Sequence, residues 1–288
     1  MPQSELPRRQ LLVASAGLLF GSTGASVAGA PLPERLRFGI VPYLPARRLV
    51  ALYSPLLPVL QAVLNRPVDI LSAPDYGAHF QRLRAAEYDI VADSLFLSRI
   101  AQRDLGHVPV ARTRAMLEPL LVVPVDGPVR KPADLIGQAV CVTDRLAALS
   151  VIGLRHLRDL GVTPDEKVRV VVSGSHANSL NRMLAGDAAA AIVSKTTLHQ
   201  VAAMAPKVRV LTVTPPGLSA VVYHVRAPLA ASAPALTRAM LQFAAETPQG
   251  QAFIEALGHE GLVPATLAEL SKLDPMVSEF YSQLSSSR

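Results

Sequence analysis

The feature that most restricts the fold is a rhythm: short apolar runs alternate with stretches whose apolar residues recur at helical spacing. Leu36–Val41, Val68–Leu71 and Tyr88–Ala92 read as strands. Arg47–Leu64 and Tyr76–Ala86 between them read as helices, with Pro55 and Pro58 confining the regular part of the first to its later turns. Another helix follows near Phe96–Arg103. Strands separated by helices at this spacing imply parallel βαβ units and an α/β fold.

The rhythm breaks twice. Val108–Ala111 and Pro119–Pro124 read as consecutive strands with no helix between them. Alternation resumes with strand Ala139–Thr143, helix Leu146–Leu160, Val168–Val172 as a buried strand, helix Ala177–Ala185 and strand Ala188–Val193. A helix near Thr197–Met204 and strand Val208–Val213 complete this part. The second break is Thr214–Gly217, "TPPG", before strand Ala220–Val225; from Pro228 the chain reads as almost wholly helical. Two crossings imply two lobes. Residues 31–118 with 216–288 form the first and 119–215 the second, with hinge strands near 119–124 and 218–225. A cleft between such lobes is where small ligands sit.

The amino terminus reads as an export signal. Arg8 and Arg9 precede an apolar stretch from Leu11 to Phe20, and Ala28-Gly29-Ala30 has the A-x-A pattern of a cleavage site. The arginine pair before Gln10-Leu11-Leu12 resembles a twin-arginine signal, and an ordinary secretory signal fits nearly as well. The expectation is a signal peptide over residues 1–30, cleaved near Ala30, and a periplasmic mature chain. No cysteine near the site offers a lipid anchor, and no later segment is apolar enough to span a bilayer.

Half of the 288 residues are apolar and 17% are charged, so a large core is available and disorder is excluded. Trp is absent and aromatics make up 5%, which leaves little for a base-stacking surface; no nucleic-acid partner is expected. The net charge of +6 falls to +5 without the leader, and the basic residues are scattered among acidic ones. Cys141 is the only cysteine, so disulfides within the chain and multi-cysteine metal sites are ruled out. Its apolar run makes it a buried structural thiol.

Candidate ligand residues sit where strands end and helices begin, because backbone N–H groups there are free to meet an anion. They are Tyr43 after "FGIV", Ser94 after "YDIVA", Thr143 and Arg145 after "QAVCV", His176 after "VVVSGS", and Ser194 beside Lys195 after "AAAAIV". Each has a plain alternative. Ser94 can be an N-cap, Arg145 a surface residue, Tyr43 a core or lid residue, and a lone histidine a structural one. G-x-S-x-G, P-loop, G-x-G-x-x-G and H-E-x-x-H patterns are absent, and no histidine pair has metal-ligand spacing. No catalytic residue, cofactor or metal is assigned.

The segments "LRFGIVPY", "YDIVADSLFLSRIAQ", "DLIGQAVCVTD" and, most specifically, "VVVSGSHANSLNRMLAGDAAAAIVS" resemble periplasmic solute-binding proteins of the phosphate/phosphite/phosphonate class. These are components of ABC importers with the two-lobed, type II venus-flytrap fold. The resemblance covers nearly all of the mature chain. It implies that His176 faces the cleft beside a helix amino terminus. It also implies a small anionic ligand, an ABC permease in the inner membrane as partner, and a monomer. Three departures stand out. Thr143-Asp144-Arg145-Leu146-Ala147 replaces the family's Ser/Thr-rich cradle. The aromatic that usually follows the third strand is replaced near Ser98, with Phe96 close by. Ser194 stands where the family has an acidic residue. Arg145 or Lys195 could substitute for the lost hydroxyl donors, which would suit another oxyanion such as a sulfonate or carboxylate.

The expectation is therefore an exported solute-binding protein of an ABC importer that closes over a phosphonate-, phosphite- or phosphate-like oxyanion. The alternatives are a periplasmic sensor subunit that docks on a histidine-kinase ectodomain, or an enzyme on the same fold, such as one acting on a pyrimidine precursor.

Overall fold

A computed structural model describes residues 32–114, 116–195, 198, 203–214 and 218–286. The leader, the expected helix over 197–204 and most of the "TPPG" break lie outside these residues or largely so. The described chain folds around two main sheets.

The first sheet draws on both ends of the chain. Its opening strands are β1 (Leu36–Ile40), β2 (Val68–Ser72), β3 (Ile90–Asp93) and β4 (Val108–Thr113). They are connected through α1 (Ala46–Tyr53), α2 (Leu57–Leu64), α3 (Tyr76–Arg84) and α4 (Leu95–Leu105). Arg47–Leu64 is thus two helices rather than one. Pro55 and Pro58 each sit at the start of a new turn, where a missing N–H costs nothing.

A two-residue strand, β5 (Met116–Leu117), leads into β6 (Pro119–Pro124), which opens the second sheet. There follow β7 (Ala139–Val142), α5 (Ala148–Asp159), β8 (Arg169–Val172), α6 (His176–Leu184), β9 (Ala190–Ser194) and β10 (Val208–Val213). The chain returns through β11 (Leu218–Ser219) to β12 (Val222–Val225) in the first sheet. It ends with α7 (Ala233–Glu246), α8 (Pro248–Leu257), β13 (Leu262–Pro264), α9 (Leu267–Ser271) and α10 (Asp274–Ser286). The strand β13 interrupts what reads in the sequence as continuous helix.

The first sheet has the order β13-β4-β12-β3-β1-β2 and the second β10-β6-β9-β7-β8. β2, β1 and β3 are mutually parallel, as are β8, β7 and β9. The returning strand β12 inserts antiparallel between β3 and β4, and β6 runs antiparallel to β9 and β10. The pair β5/β11, antiparallel, belongs to neither main sheet and joins the two crossings. The stretch 119–124 lies inside the second sheet, and 218–225 is divided between β11 and β12. Val168–Val172 is not a buried strand. β8 is the edge strand of its sheet, with a neighbour on one edge only, so its side chains are partly covered at most, and Val172 is 48% exposed.

Both sheets are covered on two faces, and the period-2 alternation of strands sorts the side chains. Phe38 and Ile40 of β1 face Leu49, Tyr53, Leu60 and Met240, whereas Val91 of β3 faces Phe80, Phe96 and Phe280 on the other side. In β7, Val140 and Val142 enter one cluster with Leu154 and Leu157 of α5, and Cys141 enters the other with Leu180 and Met183 of α6. Leu146, Ala148 and Val151, at the start of α5, join the cluster of Phe96 and Phe280 and tie the second sheet's first helix to the first sheet's packing.

Candidate functional site

Four helices begin directly after parallel strands: α3 after β2, α4 after β3, α5 after β7 and α6 after β8. Parallel βα units direct all such helix starts to the carboxyl edge of their sheet, where ligands bind in this fold class. Here Tyr76, Ser94, Ala147–Leu149 and His176, each at a helix start, line one cleft of about 520 Å³. The macrodipole and unpaired N–H groups make such ends positive without any formal charge.

The four ends differ in what they leave free. Asp75 caps α3, its carboxylate accepting the Ala78 N–H at 2.7 Å, so that terminus already has an anion. Ser175 caps α6 through the Asn178 N–H at 3.2 Å and leaves His176 in the first turn. Ser94 occupies the N-cap of α4 without making a side-chain cap bond, and the N-cap of α5 is Ala147, which has no side chain able to cap. The starts of α4 and α5 therefore remain open to a ligand's oxygens.

The structure brings four of the six sequence candidates together on this cleft: Tyr43, Ser94, His176 and Ser194. The Tyr43 hydroxyl lies 3.2 Å from that of Tyr53, and burial pushes its pKa up to about 12. His176 is half-buried, and its Nδ1 is buried with no hydrogen-bond partner. Burial pushes its pKa down to about 4, so the ring is neutral at pH 7 and presents one N–H and one lone pair. Ser194 ends β9. Next to it, the exposed Lys195 ammonium lies 3.5 Å from the Glu118 carboxylate.

The other two candidates lie elsewhere. Thr143 is buried, and its carbonyl accepts the Gly174 N–H at 2.9 Å, joining the end of β7 to the turn before α6. Arg145 forks onto a carboxylate of the chain itself, donating to both oxygens of Asp165 at 2.5 and 2.6 Å and to Gln283 at 3.3 Å. Between them, the Asp144 carboxylate accepts the Leu146 N–H at 2.8 Å, and burial raises its pKa.

Several lining residues carry no signal in the sequence. Tyr76 opens α3 and is half-buried on the cleft, and desolvation of its hydroxyl raises its pKa. Arg114, Glu118 and Glu260 are brought in by the crossings and by the turn after α8. His259, in the same turn, has a buried Nδ1 with no partner and a pKa lowered by burial to about 4.

Beneath Ser94 lies a buried polar chain. His107 and His224 face each other Nδ1 to Nδ1 at 2.8 Å, His224 Nε2 comes within 4.0 Å of Asp93, and His79 Nε2 lies 3.2 Å from the same carboxylate. The other oxygen of Asp93 accepts the Ser94 N–H at 2.7 Å, which fixes the backbone at the start of α4. Among the described residues no group of three or more His, Cys, Asp or Glu side chains converges as metal ligands, and no helix is long and apolar enough to cross a membrane.

Comparison with known proteins identifies this arrangement. No curated protein matches the chain in sequence. Among solved structures, PhnD1 from Prochlorococcus marinus in complex with methylphosphonate is similar at a TM-score of 0.75 and 12% identity, covering 87% of this chain and 99% of that one. XAC2383 from Xanthomonas citri bound to chloride gives 0.74 and 16%, over 88% and 99%. The aliphatic sulphonate binding protein SsuA from Escherichia coli gives 0.60 and 16%, over 87% and 88%. The fold is that of the type II periplasmic binding proteins. A family model described as "ABC transporter, phosphonate, periplasmic substrate-binding protein" matches residues 38–270. With its paired sheets, inserted return strand and helix starts gathered on one cleft, the chain belongs to the family of phosphonate-class periplasmic substrate-binding proteins of ABC transporters.

Proposed function

We propose that this chain is exported, loses residues 1–30, and carries a small oxyanion in the cleft to an ABC permease, releasing it unchanged. The observation that carries the reading is the meeting of the uncapped starts of α4 and α5 with His176, Ser94 and Ser194 on one cavity. Helix starts bind anions through N–H groups and dipole, so the ligand needs no countercharge deep in the protein. His176, neutral and with Nδ1 unpartnered, adds a directional hydrogen bond. Arg145, occupied by Asp165, is left out of the site.

The lobes in this reading are residues 31–118 with 216–288, and 119–215. They turn about the β5/β11 pair, where both crossings run side by side. Closure excludes water from the anion and strengthens each hydrogen bond to it. PhnD1, which shares the fold, is described with methylphosphonate, and SsuA with aliphatic sulphonates. The altered cradle leaves either head group open to this chain.

The test is a thermal-shift screen of residues 31–288 with phosphate, phosphite, methylphosphonate, methanesulfonate and acetate, followed by calorimetric titration of any ligand that raises the midpoint. His176→Ala is expected to weaken binding by about 1–3 kcal/mol, the loss of one buried hydrogen bond, with little change in the ligand-free melting point. Absence of a shift with every anion would overturn the importer reading. An unchanged affinity in the variant would remove His176 from the site.

A further inference from the structure

We infer that the ligand is an oxyanion bearing an extended apolar substituent, an n-alkyl or similar chain of several carbons, rather than a bare or methyl-substituted head group. The inference rests on the cleft being the anion site proposed above, and it specifies the other half of the ligand.

The cleft is chemically two-sided. The helix starts described above supply N–H groups and small polar side chains. Opposite in character are Leu44, Leu52, Ala220, Val221, Ala256 and Leu257, which line the same cavity. These do not form a scatter of apolar contacts. Leu44, Leu52 and Ala220 pack with Val221 and Leu257 as the margin of a single core cluster, the one centred on Phe38 and Tyr53. They come from the loop before α1, from α1 itself, from the entry to β12 and from the end of α8. The first sheet's core thus opens directly into the cavity. Leu44 and Leu52 are only half-buried there, and Ala256 is exposed. Apolar surface continuous with a core and facing a ligand cavity is a recognition surface.

Volume and charge agree with this. A head group of one phosphorus or sulfur atom and three oxygens takes the space of about three waters, on the order of 100 Å³ at ~30 Å³ per water. The cleft holds about 520 Å³. The formal charges lining it, Arg114, Glu118, Lys195 and Glu260, belong to exposed or half-exposed residues, and Glu118 and Lys195 pair with each other. What remains inside is uncharged. The start of α5 makes the same point in sequence: the Ala147 N–H is taken by the Asp144 carbonyl, which leaves the N–H groups of Ala148 and Leu149 and no hydroxyl, so grip on the head is modest and apolar burial must supply the rest.

The test measures dissociation constants of methyl-, butyl- and hexylphosphonate, and of the matching sulfonates, by calorimetry on residues 31–288. Each methylene buried against the wall is expected to tighten binding about fourfold, on whichever head group binds. The heat-capacity change of binding is expected to grow more negative with chain length. Ala256→Phe, which fills the wall, is expected to reduce the gain to less than twofold per methylene. If methyl and hexyl ligands bind equally with equal heat-capacity changes, the apolar arm is not a subsite and the inference fails while the anion site stands. If no chain length of either series binds, the anion site itself fails and the inference with it. Should Ala256→Phe not fold, the wild-type dependence of affinity and heat capacity on chain length decides alone.

Discussion

At the level of single residues, the buried histidines define how this protein responds to acid. His107, His176 and His259 each have a pKa pushed down by burial to about 4, and that of His224 is also held well below the ordinary histidine value, by burial and by His107. In the unfolded chain a histidine titrates near 6.5. Between these values the unfolded state binds protons that the native state refuses. Stability therefore falls as pH drops from about 6.5 toward 4, and the loss is complete below the folded values. His107, with 4% of its surface exposed, contributes on the order of 3 kcal/mol across that window. Melting curves from pH 7.5 to 4.5 should show this decline above the range where carboxylates titrate. A flat midpoint would mean the imidazoles are solvated in the native state.

None of this could be read from spacing. His107 and His224 are 117 residues apart, and only the insertion of β12 beside β4 makes them partners. Arg145 illustrates the opposite error. A guanidinium beside a helix start reads as an anion fork, and the structure supplies the anion from Asp165, twenty residues on. The placement of His176 and Ser94 at helix starts is legible because it depends on local pattern alone: a strand end, small polar residues, and the start of an amphipathic helix.

Among the elements, α5 carries the most consequence, because its uncapped start faces the cleft and its length packs on β9. Gly153, in its middle, is there for close approach. A Cβ at this position would stand 2.7 Å from Cγ2 and 2.9 Å from Cδ1 of Ile192. Ile192 is a β-branched strand residue with a stiff χ1 and little room to turn aside. Glycine in a helix interior ordinarily costs about 1 kcal/mol relative to alanine, so Gly153→Ala would stabilise an exposed helix. Here overpacking is expected to win, with a net loss of about 1–3 kcal/mol in urea unfolding. The displaced helix start should also weaken anion binding. A stabilised variant with unchanged affinity would show that α5 can lift from β9 without harm. Long elements such as α5 and β6 were evident in the sequence because periodicity accumulates over their length. The pair β5/β11 and the strand β13 were not. Two or three residues carry no period, and Leu262–Pro264 ends in a proline within a region otherwise rich in helix.

Taken as a whole, the molecule has two crossings between its sheets and a third tie that is not a crossing. The carboxyl-terminal helix α10 packs on the first sheet's helices, with Phe280 edge-on to Phe80 at 5.4 Å and Asp274 paired with Arg99. It also reaches α5 of the second sheet and the turn before it, where Glu279 accepts from Arg158 of the helix at 2.6 Å and Gln283 from Arg145 of the turn at 3.3 Å. If the sheets close on a ligand as proposed, α10 must either travel with both or hold them together. A half-exposed ion pair contributes up to about 1 kcal/mol, too little to decide folding. The same energy changes a two-state equilibrium about fivefold, enough to shift a population of closed molecules. Glu279→Ala is therefore expected to leave the melting point within a few degrees of wild type. It should weaken ligand binding two- to fivefold and enlarge the ligand-free radius of gyration in solution scattering, with the ligand-bound radius unchanged. An affinity and a radius both equal to wild type would show that α10 moves with one sheet alone. In that case the closing motion would be governed by the β5/β11 pair, where the two crossings run side by side.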